Sequence, residues 1–286
     1  MKEITSEKIE TFTTLVENAQ DIVIIGHMKP DGDALGSCLG MYHFLIAQNK
    51  QDIRIVLPHR TQAHLNFLID KESERDILIH EDHPARAEEA ILKSDLIICL
   101  DFNAFHRTDR LETYLSESSA KKILIDHHLN PDRDSFTLCF SETSVSSASE
   151  LVFHVIMATP AISGNAGRIP ARSATALMTG MTTDTNNFAN SVYPSTLRMA
   201  SSLIEAGVDR DMIINRIYQQ HRETRMRLMG HILKDLMTIT PDGVAYIVLD
   251  KNILQEYHIE EGDTEGFVNL PLSIAKVKMS LLLKED

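Results

Sequence analysis

Three metal-capable side chains stand in a row directly after an apolar segment. Asp126, His127 and His128 follow the apolar residues 123–125. Neutral imidazole and carboxylate are good ligands for a divalent cation, and the end of a buried strand is a rigid place from which to present them. The triplet by itself is a weak signal, because two adjacent histidines can be solvated loop residues.

Three further apolar segments run into acids or histidines in the same way. The segments are residues 22–25, 96–100 and 174–181, and the polar residues that follow them are His27, Asp31, Asp33, Asp101 and Asp184. Any one of these acids could simply cap a helix or lie in a solvated loop. The repetition of the pattern at four segment ends favours a shared site.

The chemistry of this site follows from its donor types. The set mixes nitrogen and oxygen donors without thiolate, which suits Mn²⁺ or Mg²⁺ better than a structural Zn²⁺. Carboxylates crowded together repel one another unless cations neutralise them. Two cations about 3.5–4 Å apart can clamp a phosphoryl group and activate water. The sequence therefore predicts a two-metal site for phosphoryl chemistry.

The elements that must position these residues alternate between strands and helices. Apolar strands at 22–25, 54–57, 96–100 and 123–125 alternate with helices at 34–48, 84–93 and 149–158. This order predicts an α/β fold with a doubly wound parallel sheet, in which ligands bind at the carboxyl ends of the strands. We expect Gly32 to give the first loop unusual dihedral angles. Gly36 and Ser37 are expected to open the next helix, where a phosphate would bind.

The length of 286 residues allows two domains. We predict a catalytic metal-binding domain over residues 1–208. Residues 209–286 are predicted to form a helical connector and a smaller α/β domain. In the connector, His221, Arg222, Arg225 and Arg227 form a basic cluster that faces either the substrate or solvent.

The formal net charge of −13 argues against tight binding to long nucleic acid, which needs a basic surface. It allows a short phosphorylated substrate, because bound cations reverse the local field. Cys38, Cys99 and Cys139 show no metal spacing or disulfide pattern, which is typical of a reducing compartment. Residues 1–12 carry acids and no apolar core, so we expect no signal peptide, and no apolar run reaches membrane-spanning length. We expect a cytoplasmic protein without a membrane partner.

Four ordered motifs resemble those of the DHH phosphoesterases. Residues 27–37 resemble the first motif, Asp101 the second, Asp126 to His128 the third, and residues 182–185 the fourth. Residues 262–269 look like the opening of the companion DHHA1 domain. The greatest similarity is to the small two-domain nanoRNase/pAp phosphatases. The resemblance implies an active site in the cleft between the two domains.

The resemblance also implies roles for single residues. One Mn²⁺ would be held by His27, Asp31 and Asp101, and the other by the set Asp33, Asp101, His127 and Asp184. Asp101 would thus bridge two ions, for which Mg²⁺ is an alternative. His128 would contact the scissile phosphate, Asp126 would orient a histidine, and both join Asp101 as catalytic residues. Further substrate contacts are assigned to Ser37 and Arg107; the alternative for Arg107 is a salt bridge with Asp109.

The function that this resemblance implies is Mn²⁺-dependent hydrolysis of very short RNA as a 3′→5′ exonuclease, together with removal of the 3′-phosphate of pAp. The partner is then a short oligoribonucleotide or a nucleotide phosphate, and a homodimer is an allowed assembly. Alternatives are a phosphodiesterase on linear dinucleotides from cyclic signalling molecules, and a pyrophosphatase or exopolyphosphatase. The alternative that is not an enzyme is a metal-binding regulatory protein without turnover.

Two departures from the family pattern lead to further expectations. Asn186 stands where relatives often carry Gly, and Asn tolerates the left-handed conformation. The family's late arginine-containing strand and its glycine-rich Gly-Gly-Gly-His motif are both missing from the sequence. We therefore expect the natural protein to continue past Asp286, which intact-mass analysis would test.

Overall fold

The computed structural model describes residues 2–260, 262–264 and 266–285, and these form two compact units. The units divide between Ile217 and Tyr218. The predicted domains, 1–208 and 209–286, and the cleft between them stay predictions. Among the described residues, no helix has both the length and the apolar character that crossing a membrane requires.

The larger unit is built on a six-stranded parallel sheet, so the predicted α/β fold class is confirmed. The spatial order is β3-β2-β1-β4-β5-β6, as in doubly wound folds. An apolar segment at residues 77–79, to which the sequence assigns no type, forms the edge strand beside β2. The strands are β1 Asp21–Ile25, β2 Asp52–Leu57, β3 Ile77–Ile79, β4 Leu96–Leu100, β5 Lys121–Asp126 and β6 Leu138–Ser141.

Helices cover both faces of this sheet, which explains why its central strands are apolar throughout. Helices α4 and α5 pack with Val23, Ile25 and Leu124, whereas α2 and α6 contact the opposite side. The helices are α1 Ser6–Asn18, α2 Gly32–Ala47, α3 Ser73–Asp76, α4 Pro84–Lys93, α5 Leu111–Glu117, α6 Ala148–Ala158, α7 Ala171–Asp184, α8 Pro194–Glu205 and α9 Arg210–Ile214.

Helices α2 and α7 approach each other closely through glycine. A Cβ added to Gly36 would lie 2.6 Å from the Ala176 carbonyl oxygen, and one added to Gly32 would lie within 3 Å of the Thr183 side chain. Gly32 belongs to α2 and has no positive φ, so the prediction of unusual dihedral angles is wrong there. Its lack of a side chain serves packing. The close approach brings the first residue of α2 beside the last turn of α7.

The smaller unit is also α/β, as predicted. Its sheet has the order β7-β8-β9, with β7 and β8 antiparallel and β8 and β9 parallel. Leu228, Ile232, Ile247, Leu249 and Phe267 form its core. The elements are α10 Glu223–His231, β7 Thr238–Ile239, β8 Val244–Leu249, α11 Lys251–Glu256 and β9 Met279–Lys284.

The basic cluster of this unit is neutralised by nearby acids. Arg222 lies 2.9 Å from Glu260 and 3.0 Å from Asp263, and Arg227 pairs with Glu223 one helical turn away. These contacts favour a structural role for the cluster over a role in substrate binding. Glu265, in the segment that resembles the DHHA1 opening, lies outside the described residues.

The packing of α2 on α7 leads to a test of stability. Gly36→Ala should lower the free energy of unfolding of the larger unit by about 1–3 kcal/mol, the usual cost of an overpacked core. Gly230→Ala, in α10 of the smaller unit, is the control for a helical glycine-to-alanine change without a clash, because a Cβ there meets no described atom within 4 Å. Helix propensity predicts that the control gains up to about 1 kcal/mol. Calorimetric melting checks both; equal effects would contradict the packing role of Gly36.

Candidate metal centre

The predicted ligands lie close together at the point where the order of strands in the sheet reverses. Strands β1 and β4 are neighbours, but β2 and β3 continue to one side and β5 and β6 to the other. Ligands bind beside the carboxyl ends of strands at such a switch point. His27 follows β1, Asp101 follows β4, and His127 follows β5.

The carboxylate of Asp101 faces two histidines, one with each oxygen. Its Oδ2 lies 3.4 Å from Nε2 of His27, and its Oδ1 lies 3.6 Å from Nε2 of His127. These separations exceed ordinary hydrogen bonds. They are close to the roughly 3–3.5 Å between neighbouring ligands that each lie about 2.1 Å from one cation. The two oxygens of Asp101 therefore face two different groups of possible metal ligands.

His27, Asp31 and Asp101 form the first group of possible ligands. Their ligand atoms lie within 4.8 Å of one another. Nδ1 of His27 is 2.7 Å from the Met28 carbonyl oxygen and donates to it, which leaves Nε2 as the ligand atom. Asp31 also caps α2, because its Oδ1 accepts from the backbone N–H of Ala34 at 3.0 Å. Capping and ligation are compatible at Asp31, since the cap holds the carboxylate in place.

Asp33, His127 and Asp184 form the second group, again with ligand atoms within 4.8 Å. Asp184 is the last residue of α7, and its Oδ2 lies 3.7 Å from Nε2 of His127. Asp33 lies in the first turn of α2 and is buried. The close packing of α2 on α7 therefore determines the distance between these two carboxylates.

Asp33 is anchored by the first turn of another helix. Its Oδ2 accepts from the backbone N–H of Ala148 at 2.7 Å, and its Oδ1 accepts from that of Ser149 at 2.9 Å. Both amides belong to the start of α6, where unsatisfied N–H groups favour an anion. A Cβ on Gly180 would lie 2.9 Å from Asp33 Oδ1, so glycine leaves room for the carboxylate.

Asp126 orients His128 rather than His127. The fully buried carboxylate accepts from Nδ1 of His128 at 2.7 Å and from the His128 backbone N–H at 3.1 Å. The side chain of His128 is partly exposed. Because Nδ1 donates to Asp126, Nε2 is the ring atom that can exchange a proton with a bound molecule.

Ser37 does not belong to the site, and its prediction as a substrate contact is wrong. Helix α2 begins at Gly32 because Asp31 caps it, so Ser37 lies in the second turn rather than at the N-terminus. Ser37 is fully buried, and its hydroxyl donates to the Ala34 carbonyl oxygen at 3.1 Å. Gly36 packs against α7 instead of binding phosphate.

Arg107 lies near the first group of ligands, in a short 3₁₀-helix at Phe105–Thr108. Its carbonyl oxygen accepts the backbone N–H of Met28 at 2.8 Å. Asp109, its alternative partner, has a carboxylate oxygen 3.4 Å from Nε2 of His59. This pairing favours the phosphate-binding role over the loop salt bridge, and that role stays a prediction.

The excess of carboxylates raises the pKa of two histidines and so favours their protonated form. Burial by itself lowers the pKa of His27, but Asp101 and Asp31 outweigh it and raise the pKa to about 11. Burial is likewise outweighed at His127, chiefly by Asp101, and the pKa rises to about 9. Burial, helped by the charge of Asp101, raises the pKa of Asp184 to about 6. Protons and cations therefore compete for the same ligand atoms.

This competition predicts the pH dependence of metal binding. A cation must displace the protons of His27 and His127, so Mn²⁺ affinity should rise as the pH rises from 6 towards 9, the pKa of His127. Calorimetric titration in two buffers of different ionisation enthalpy should show proton release at neutral pH. Equal heats in both buffers, with an affinity independent of pH, would contradict these protonation states.

Two features of the site left only faint signals in the sequence. Gly32, Gly36 and Gly40 recur at a spacing of four, which marks one face of a helix and could have predicted the close contact with α7. The N–H groups of α6 that hold Asp33 had no signal beyond the helix start at Ser147, whose hydroxyl accepts from the Glu150 N–H at 2.9 Å.

Comparison with known proteins identifies the family. The family model described as DHH family, N-terminal domain, matches residues 21–181. The chain belongs to the DHH family. It is a metal-dependent phosphoesterase, as the sequence predicts. Asn186, the departure directly after the fourth motif, has a φ of +45° and adopts the left-handed conformation without a glycine.

Similar proteins differ in their named activities. An exopolyphosphatase-related protein from Bacteroides fragilis is 38% identical, with a TM-score of 0.92 over 100% of this chain and 82% of that one. The probable bifunctional oligoribonuclease and PAP phosphatase NrnA of Streptococcus mutans is 26% identical over 97% of this chain and 81% of its own length. The cyclic-di-AMP phosphodiesterase GdpP of Geobacillus thermodenitrificans is 27% identical over 70% of this chain and 30% of its own length.

Proposed function

We propose that this protein uses two Mn²⁺ ions to hydrolyse very short RNA from its 3′ end and to remove the 3′-phosphate of pAp. The observation that carries the two-metal part is the carboxylate of Asp101, whose two oxygens face His27 and His127 separately. The similarity to the oligoribonuclease and PAP phosphatase of S. mutans over 97% of the chain supports the substrate class. We place this activity in the cytoplasm, since the cysteine pattern suits a reducing compartment.

The donor set fits the proposed ions. His27, Asp31 and Asp101 would hold one cation, Asp33, Asp101, His127 and Asp184 the other, and Mg²⁺ would suit the same oxygen-rich groups. When bound, such cations neutralise charge on phosphoryl oxygens and lower the pKa of water. The local field then favours a phosphate despite the net charge of −13.

The residues of the chain supply orientation and proton transfer. Asp126 holds the ring of His128 in one orientation, so Nε2 of His128 can contact a phosphate oxygen and carry the proton that a leaving oxygen needs. Arg107 would bind a second phosphate oxygen through its planar guanidinium. The amides of α6 hold the side chain of Asp33 in one orientation.

A second candidate is the hydrolysis of linear dinucleotides derived from cyclic signalling molecules. The similarity to the cyclic-di-AMP phosphodiesterase over 70% of the chain favours it, because a dinucleotide is also the shortest RNA substrate. Cleavage of polyphosphate or pyrophosphate is a third candidate, favoured by the similarity to the exopolyphosphatase-related protein of B. fragilis. All three candidates use the same metal centre.

A substrate panel with Mn²⁺ tests the proposal. It compares pAp, ribodinucleotides, linear pApA, a long RNA, pyrophosphate and polyphosphate, with Asp101→Asn as the blank. We expect the highest kcat/KM on ribodinucleotides and pAp and little cleavage of the long RNA. A preference for pyrophosphate or polyphosphate would overturn the substrate assignment, and no Mn²⁺-dependent turnover on any member would favour a regulatory role.

A further inference from the structure

The loop between β1 and α2 carries two proposed ligands, and its backbone is unfavourable by itself. Lys29, midway between His27 and Asp31, has a φ of +51°. A lysine in this left-handed region is strained, and such strain persists only where surrounding contacts hold the backbone. The contacts that hold Lys29 therefore also determine where His27 and Asp31 stand.

The main contact of this kind comes from His59, two residues beyond β2. Nδ1 of His59 accepts the backbone N–H of Lys29 at 3.1 Å. A neutral imidazole that accepts at Nδ1 carries its proton on Nε2. Nε2 of His59 lies 3.4 Å from an oxygen of Asp109, towards which it directs this proton. His59 thus joins the ligand loop to the segment that follows β4.

A second hydrogen bond also holds the loop between β1 and α2. The backbone N–H of Met28 donates to the Arg107 carbonyl oxygen at 2.8 Å. Arg107 and Asp109 both belong to the segment after β4, which begins with the proposed bridging ligand Asp101. The loops after β1, β2 and β4 are therefore clamped together around one side of the site.

We propose that His59 is a positioning residue for the cation held by His27, Asp31 and Asp101, an inference that rests on the proposed metal centre. His59 acts through the Lys29 N–H, so the atom that matters is Nδ1. The second group of ligands has a separate anchor, because Asp33 is held by the amides of Ala148 and Ser149. Loss of the His59 contact should therefore weaken the binding of one cation and leave the binding of the other unchanged.

Two substitutions separate the two nitrogens of His59. In His59→Asn the side-chain oxygen can take the position of Nδ1 and accept the Lys29 N–H. In His59→Gln the amide nitrogen can take the position of Nε2 and donate to Asp109, but no acceptor remains near Lys29. His59→Ala removes both contacts. His83→Ala, at an exposed histidine before α4, is the matched control.

The measurement is Mn²⁺ binding to the full chain by calorimetry and electron paramagnetic resonance. We expect two Mn²⁺ sites in the unsubstituted protein and in the control. His59→Ala and His59→Gln should weaken one site by about 10–100-fold, as loss of outer contacts does at metal centres. His59→Asn should keep both affinities within a fewfold range.

The outcomes distinguish this inference from the proposed function. If the unsubstituted protein binds no Mn²⁺, the proposed metal centre fails. If it binds two ions and both His59→Ala and His59→Gln bind them equally well, His59 is not a positioning residue. An equal loss at both sites, or a loss in His59→Asn but not in His59→Gln, would also overturn the role of Nδ1.

Discussion

Asp101→Asn should lower turnover by more than about 10³-fold, the upper range for loss of a single transition-state contact, and should weaken both Mn²⁺ sites. The reason is that the two oxygens of Asp101 face two different histidines. The amide keeps the size of the side chain but loses its charge and one of its two oxygen ligands. Asparagine also tolerates the φ of +63° at this position, so the fold should survive.

Calorimetric titration of Mn²⁺ and steady-state kinetics measure the two effects. Asp134→Asn is the matched control, because Asp134 is exposed in a short helix away from the strand ends that carry the ligands. The control should bind both ions and turn over normally. Two sites of unchanged affinity in Asp101→Asn would show that Asp101 is not the bridge.

His128→Ala should reduce kcat by about 10²–10⁴-fold, the range for loss of a positioned general acid or base, with little effect on Mn²⁺ binding. Nδ1 of His128 lies 3.8 Å from Oδ1 of Asp101 but already donates to Asp126. We therefore expect Nε2 of His128 to contact a bound substrate rather than a cation. The neighbouring change, His127→Ala, should instead weaken one Mn²⁺ site, because Nε2 of His127 lies between Asp101 and Asp184.

Substitutions of the two adjacent histidines should therefore give opposite results when Mn²⁺ binding is measured. Asp126→Asn should reproduce the kinetic loss of His128→Ala, since the amide no longer fixes the tautomer and orientation of the ring. Ligand atoms of His128, Asp101 and His127 also lie within 4.8 Å of one another. If His128→Ala lost Mn²⁺ as His127→Ala is expected to, His128 would be a ligand and its assignment to the phosphate would be wrong.

The sequence by itself determined the fold class and the end of the sheet, at the carboxyl ends of its strands, where the site lies. Both depend on local patterns: apolar runs of strand length, and the polar residues that follow them directly, such as His27 after β1 and Asp101 after β4. Parallel strands place all their carboxyl ends on one side of the sheet, so a local pattern is enough to bring these residues together.

The tertiary structure alone decided how each side chain is held. Asp33 is held by amides of α6, which lie more than a hundred positions later in the chain. His59 contacts Lys29 across two strand ends, although it belongs to no motif. Ser37 matches the family pattern, yet it is buried because the cap at Asp31 starts the helix earlier than its composition suggests. Such features depend on contacts between distant segments, and neither local spacing nor residue type encodes them.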